Sequence, residues 1–489
     1  MVLLTILLIP ILTGLCLLPF RKAAVVRSVA LASSFVNLLL TLFLAFSTSS
    51  FTFDLSWISY LGIHFSLGFD GISLIMILLT NFLFPFILLA GFGREQRNVH
   101  LLNFLILFTQ SALLGVFLAQ NAFLFYVFWE LTLIPVYFIL LIWGGDGRKS
   151  ITFKFFIYTL TGSLFLLFGI IYLYQLTPGI HTTEFAALNQ LHIPDSTQNW
   201  LFWILFIAFA IKMPVFPFHT WQPPTYNMAS TQGVMILAAV MTKMGIYGAL
   251  RFLFPIVPQG VIYWQNTVIV LSLIGVVYAS IIAFRKSNLK MLIAFSSMAH
   301  ISLMVAAMFV LNTYALQGLL FQAISHGVII VALFYLANLI KEKTGTIELT
   351  QMGGIKLLAP NMALLFLIIV IGSIALPLTA GFVGEFLMIA GIFKQSVWFA
   401  AIGGLSMIFG AIYMLYAYQR AMLGDKKEIY AKLTDIRSLD YLILIPLILV
   451  ILGLGIYPQP ILDMMAHTIH SAENFLKPVA EVVSILKTN

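Results

Sequence analysis

Four charged residues stand where a charge is hardest to keep. Lys212, Lys243, Glu130 and Glu385 each fall inside a long apolar run, and Asp70 falls at the edge of another. A charged side chain at the centre of a bilayer costs roughly 2.5–3.5 kcal/mol by insertion scales, so such residues are rare, pair with one another, and mark ion or proton paths. The chemistry open to them is proton exchange. Two unit charges about 4 Å apart interact by about 4 kcal/mol at an effective dielectric of 20, so a moving carboxylate changes how firmly a nearby ammonium holds its proton. Histidine titrates near neutrality and relays protons. His300 in Ser296-Ser297-Met298-Ala299-His300 and His326 in Gln322-Ala323-Ile324-Ser325-His326-Gly327 extend the series, and His219 sits near the inner end of its span. A structural ion pair locking two helices explains one such pair but not a series.

Two of these groups sit beside helix breaks. Lys212 lies in Ala210-Ile211-Lys212-Met213-Pro214-Val215-Phe216-Pro217, and Glu385 follows Leu376-Pro377-Leu378-Thr379-Ala380-Gly381-Phe382-Val383-Gly384. Proline removes an N–H and clashes with the preceding turn. In lipid the freed carbonyls must be satisfied by protein or water. A single proline kink in a membrane helix is ordinary. Two breaks, each with an ionisable group, match the midplane sites of transporters built from repeated halves.

The elements that must position these groups are membrane helices. The chain has 489 residues, 61% hydrophobic and 9% charged, with a mean hydropathy of +1.05. Soluble domains carry about 25% charged residues, so the polar surface is too small to coat one. The net charge of +8 comes from Lys and Arg scattered singly between apolar segments, which excludes the continuous basic stripe of a nucleic-acid binder. The one cysteine, Cys16, leaves no intrachain disulfide and no Cys-based metal or iron–sulfur site. Residues 1–20 lack a basic n-region and are followed by Arg21, Lys22 and Arg27, so the segment reads as a retained first span, not a signal peptide.

About 20 apolar residues cross roughly 30 Å of hydrocarbon. On that basis the chain holds about fourteen spans, near 2–20, 28–47, 69–91, 101–119, 121–143, 151–176, 200–221, 227–253, 261–283, 291–311, 315–340, 360–393, 398–422 and 440–457. The run 360–393 reads as one broken helix. Beyond Pro458 the tail reads as an interfacial amphipathic helix. With the N-terminus outside, the cytoplasmic loops take about nineteen Lys and Arg, among them Arg285, Lys286 and Lys290, against about four outside, which follows the positive-inside rule. The five spans of 101–253 carry Glu130 on the second and Lys212 on a broken fourth. The five of 261–422 carry His300 on the second and Glu385 on a broken fourth. That spacing suggests a repeat.

Several stretches together carry a family resemblance: LFYVFWELTLIPVY at Leu124–Tyr137, AFAIKMPVFPFHTW at Ala208–Trp221, MTKMGIYGALRF at Met241–Phe252, LKMLIAFSSMAH at Leu289–His300, GFVGEF at Gly381–Phe386, GFDGIS at Gly68–Ser73 and GIYP at Gly455–Pro458. The chain resembles, over nearly its whole length, the antiporter-like membrane subunits of respiratory complex I (NADH-quinone oxidoreductase), of the chain M or subunit 4 type. The resemblance implies an all-α polytopic membrane protein with a core of fourteen transmembrane helices, two inverted five-helix repeats and two broken helices. It divides the chain into residues 1–100 (first three helices), 101–253 and 254–422 (the repeats) and 423–489 (last helix and tail).

The resemblance also implies roles. Glu130 pairs with and modulates Lys212, Lys243 is the central lysine, His326 connects, and Glu385 carries the proton at the exit side. Glu385 discriminates within the superfamily, because the L and N chains and the cation/proton antiporter relatives carry lysine there. After Trp221, where the family continues with Leu-Pro-Asp-Ala-His, this chain has Gln222-Pro223-Pro224-Thr225-Tyr226. Asn288 replaces the usual aspartate. The implied activity is proton translocation coupled to electron transfer from NADH to quinone in a translocase. This chain would carry no cofactor, with FMN, iron–sulfur clusters and quinone in partner subunits. L-type and N-type neighbours would flank it in a bacterial inner membrane, its N-terminus periplasmic. A subunit of a multi-subunit sodium/proton antiporter, or of a related plastoquinone-reducing or hydrogenase complex, is the alternative.

Overall fold

A computed structural model of the chain describes residues 1–47, 51–179, 181–425, 433–466 and 468–469. Among them, eleven helices are long and apolar enough to cross a membrane, from Ala23–Phe46 to Ser438–Ile456. Val2–Leu17 and Pro360–Ser373 are shorter apolar helices. Helices apolar on every side belong in lipid or in a protein interior, and in lipid only a helix satisfies its own backbone. Residues 459–466 are helical. Most of the expected interfacial tail lies outside the described residues.

The chain forms two compact groups of residues. Of the described residues, the first comprises those within 1–213 and 240–266 together with 465, 466, 468 and 469, and the second those within 214–239 and 267–464. In the first, an antiparallel hairpin of Phe53–Ile58 and Ile63–Leu67 precedes Gly71–Leu89, whose start is capped by Asp70. Apolar length did not reveal this hairpin. Its strands alternate apolar and polar residues, Phe53-Asp54-Leu55-Ser56-Trp57 and Ile63-His64-Phe65-Ser66-Leu67, the pattern of a strand, but they are far shorter than an apolar span of about 20 residues.

Each group contains the same small backbone ladder at the start of a helix. In the first, Asn121 caps Ala122–Trp143 through Phe123 and Leu124 N–H. Ala122 N–H donates to Thr183 O (2.7 Å) and Phe185 N–H to Gln120 O (3.1 Å). The Asn121 amide donates to Glu184 Oε1 at 3.0 Å. In the second group, Asn288 caps Leu289–Met308 through Met291 N–H. Leu289 N–H donates to Ile347 O (3.0 Å) and Leu349 N–H to Ser287 O (2.8 Å). The Asn288 amide donates to Glu348 Oε1 at 2.9 Å. An asparagine cap satisfies helix N–H groups that have no partner within the helix. The glutamate then ties that cap to a distant loop.

Candidate functional site

In the first group, Lys212 is the last residue of Asp195–Lys212. The chain leaves the helix at Met213-Pro214 because proline cannot continue it. A cation there meets the negative end of the helix dipole. The Lys212 ammonium is buried, and its Nζ lies 5.0 Å from the centroid of the Trp129 ring. That ring is set edge-on to Phe209 at 5.8 Å. Trp129 precedes Glu130 in Ala122–Trp143, so aromatic face and carboxylate arrive together. Glu130 is half-buried, and its Oε1 has no hydrogen-bond partner among the described residues. No ion pair of 4.0 Å or less joins Glu130 to Lys212 among the described residues, yet the two are close enough for the charge of Glu130 to act on the lysine.

Lys243 is fully buried in Thr242–Gly248. This segment is flanked by π-helical turns at Leu237–Met241 and Ala249–Leu253. Such turns are rare and recur at functional sites. No sequence signal announced them. Gly245 and Gly248 bring the Lys243 segment against Asp195–Lys212. A Cβ on Gly245 would stand 2.8 Å from Phe209 O, and one on Gly248 would stand 2.5 Å from the Phe209 ring. The two lysines therefore sit on helices in backbone contact.

Near the end of that segment, Arg251 bridges Asp70 (2.5 Å) and Ser73 Oγ (2.9 Å). Ser73 Oγ is 3.0 Å from the Tyr247 hydroxyl, which donates to Phe117 O. Asp70 is thus committed to an ion pair and a helix cap.

In the second group the pattern is tighter. His300 Nδ1 stands 2.7 Å from Glu385 Oε1, both side chains buried. The contact is close, but its alignment falls outside that of a directed hydrogen bond. The His326 ring lies 5.9 Å from the His300 ring. The Gln322 amide reaches Glu385 Oε1 at 3.4 Å. Gln322 precedes His326 by one helical turn in an otherwise apolar run, a signal the motif reading passed over. Tyr413 donates to Ser296 Oγ at 3.0 Å and lies near enough to Glu385 to feel its charge.

Glycines make this convergence possible. A Cβ on Gly318 would stand 2.5 Å from Met388 N, and one on Gly384 would stand 2.9 Å from Gln322 Cα. Thr313–Thr344 and Ala380–Gln395 therefore cross backbone to backbone, the small-residue packing of membrane helices. The break before Glu385 runs from Ser373 to Ala380. Ala375 (φ +54°) and Leu378 (φ +72°) there occupy the left-handed region, which costs a non-glycine residue of order 1–3 kcal/mol and is tolerated where the surroundings enforce it. Glu385 Oε2, Gln322 Oε1, Ser297 Oγ and Ser325 Oγ are buried without a hydrogen-bond partner among the described residues. Buried polar atoms of that kind bond ordered water.

His219 is buried, with Nε2 3.3 Å from the Tyr278 hydroxyl and its ring stacked on Phe216. Asp440, the first residue of the span expected at 440–457, is fully buried and accepts a 2.6 Å hydrogen bond from Tyr335. Lys290, expected in a cytoplasmic loop, is also buried. Among the described residues no group of three or more His, Cys, Asp or Glu is placed to hold a metal ion.

A family profile described as "NADH:quinone oxidoreductase/Mrp antiporter, TM" matches residues 119–411. The NADH-quinone oxidoreductase subunit M of Rickettsia typhi is 37% identical over 460 residues, covering 92% of each chain. A chain of respiratory complex I from Thermus thermophilus superposes with a TM-score of 0.89 at 27% identity, over 97% of this chain and 100% of that one. A chain of the Mrp complex from Dietzia sp. shares the fold, with a TM-score of 0.84 at 20% identity over 99% of both. With more than half its length matched and a full-length relative above 30% identity, this chain belongs to the NADH:quinone oxidoreductase/Mrp antiporter family of membrane subunits.

Proposed function

We propose that this chain is a proton-translocating membrane-arm subunit of NADH-quinone oxidoreductase, working without a redox centre of its own. FMN, iron–sulfur clusters and quinone belong to partner subunits in this reading, and quinone reduction there supplies the trigger. The strongest support is the buried His300–Glu385 contact at 2.7 Å in a chain of this family. Glu385 also favours the complex I reading over the antiporter one, as its sequence position implied.

The relay runs through Glu130, Lys212, Lys243, His300, His326 and Glu385. A change in the Glu130–Lys212 spacing shifts the hold of Lys212 on its proton. The proton then passes by Lys243 and the histidines to Glu385. His219, expected near water at the inner end of its span but buried against Phe216 and Tyr278, has a lesser part. Fourteen spans, a periplasmic N-terminus, an inner-membrane location and L-type and N-type neighbours complete the reading. The two Asn–Glu ladders support inverted repeats at 101–253 and 254–422, since the topology puts Asn121 outside and Asn288 inside. Counting from the two asparagines puts Ser297, not His300, in the place of Glu130.

The test is Glu130→Gln in the assembled, reconstituted complex, with electron transfer and proton uptake followed together. Collapse of both, with assembly intact on a native gel, is expected. Normal pumping would make the buried charges structural and sink the relay.

A further inference from the structure

One buried cation stands outside the relay. Lys290 is 4% exposed, at the first turn of Leu289–Met308, the helix that carries His300. It donates a single hydrogen bond, 3.3 Å to Ala229 O. The charges that act on it are those of Lys341 and Glu342, both on Thr313–Thr344. Burying an ammonium with one neutral partner is costly, and nothing in the relay above uses it.

Its position along the helix is informative. At 3.6 residues per turn, Lys290, Ser297 and His300 fall on one stripe, with Ser297 about 10 Å above Lys290 and His300 about 15 Å above it. Ser297 is fully buried, and its hydroxyl has no hydrogen-bond partner among the described residues. A hydroxyl both donates and accepts, so it can pass a proton on. At the top of the stripe His300 touches Glu385.

We propose that Lys290 is the group through which this half of the chain takes up protons from the cytoplasmic side, handing them along the Ser297 stripe to His300. This rests on the functional reading above. The step is a proton transfer with no change in oxidation state. A proton leaves Lys290 Nζ through solvent in the stripe, and Ser297 Oγ accepts it while giving its own proton to a ring nitrogen of His300. Lys290, left as the neutral amine, is recharged from cytoplasmic water. The rival role is structural, because Ala229 is the C-cap of Gln222–Met228 and a cation there steadies the helix end.

Arginine separates the two. It can hold the same carbonyl, but it does not deprotonate in proteins. Lys290→Arg, Lys290→Met, Ser297→Ala and, in parallel, Glu385→Gln should be made in the full complex. Proton uptake and NADH oxidation would be measured in inside-out membrane vesicles after assembly is checked on native gels. We expect both Lys290 variants to lower coupled pumping at least about fivefold and Ser297→Ala to lower it by a smaller factor. Wild-type pumping by Lys290→Arg overturns the proposal in favour of the helix cap. If Glu385→Gln abolishes pumping while both Lys290 variants pump normally, the inference fails and the functional reading stands. If Glu385→Gln also pumps normally, both fall together.

Discussion

His300 Nδ1 meets Glu385 Oε1 at 2.7 Å, although Thr313–Thr344, which carries His326, and Pro360–Ser373 lie between their helices in the chain. The sequence reading put His326 ahead of His300, because it lies between the two candidate sites in the chain. The contact gives His300 a direct approach to the carboxylate, and the His326 ring lies 5.9 Å from the His300 ring. The helix crossing, not chain order, decides which histidine touches the acid.

Glu385→Gln keeps the shape and hydrogen-bonding capacity of the side chain and removes its proton exchange. Coupled proton pumping is expected to fall at least about tenfold, toward the range lost with a positioned acid or base. Vesicle proton uptake, normalised to the amount of assembled complex, measures it. A rate within twofold of wild type would take Glu385 out of the path.

His300→Gln should slow coupled turnover more than His326→Gln, since His300 Nδ1 stands 2.7 Å from the acid. Parallel turnover measurements on the two assembled variants decide the order. The reverse order would return the connecting role to His326.

Gly384→Val and Gly391→Val place a branched side chain where no room exists. A Cβ on Gly391 already falls 2.5 Å from Ala315 N. Overpacking of this kind costs typically about 1–3 kcal/mol. Heat-induced loss of the subunit from the detergent-purified complex should occur at lower temperature in both. Gly404→Ala, with nothing within 4 Å of its Cβ, is the matched control and should leave that temperature unchanged or raise it. Equal stability of all three would mean that the Thr313–Thr344 crossing is loose.

Asn121→Ala should destabilise the first group by about 1 kcal/mol, the usual cost of losing an N-cap. Combined with Glu184→Ala, the loss should be smaller than the sum, because the two side chains share one hydrogen bond. A denaturation series on the purified complex reads the coupling. Strict additivity would argue that the ladder stands on its backbone bonds alone.

Much of this architecture was legible in the sequence, because apolar length and proline are local signals. The spans near 121–143 and 291–311 correspond to Ala122–Trp143 and Leu289–Met308, and the breaks after Lys212 and before Glu385 fall where Pro214 and Pro377 stand. What remained hidden depends on partners distant in the chain. Gln322 becomes notable only when Gly384 lets Glu385 approach it. Lys290 reads as one more loop cation until Gln222–Met228 covers it. Asp440 looks like an edge residue until Tyr335 donates to it. The hairpin at 53–67 does carry strand alternation, but its strands are too short to register as membrane-spanning runs.

The wide turns on either side of Lys243 have a genetic consequence. Each π turn accommodates one residue more than an α-helix of the same rise, so each reads as a tolerated single-residue insertion. Deleting one residue within 238–240 would return that turn to α geometry with little change of phase, because four residues at about 100° each turn the chain roughly as far as the five of the π turn. The helix would survive such a deletion with its composition almost unchanged and the lysine on the same face. A one-residue change of length at either turn is therefore a change this segment can absorb.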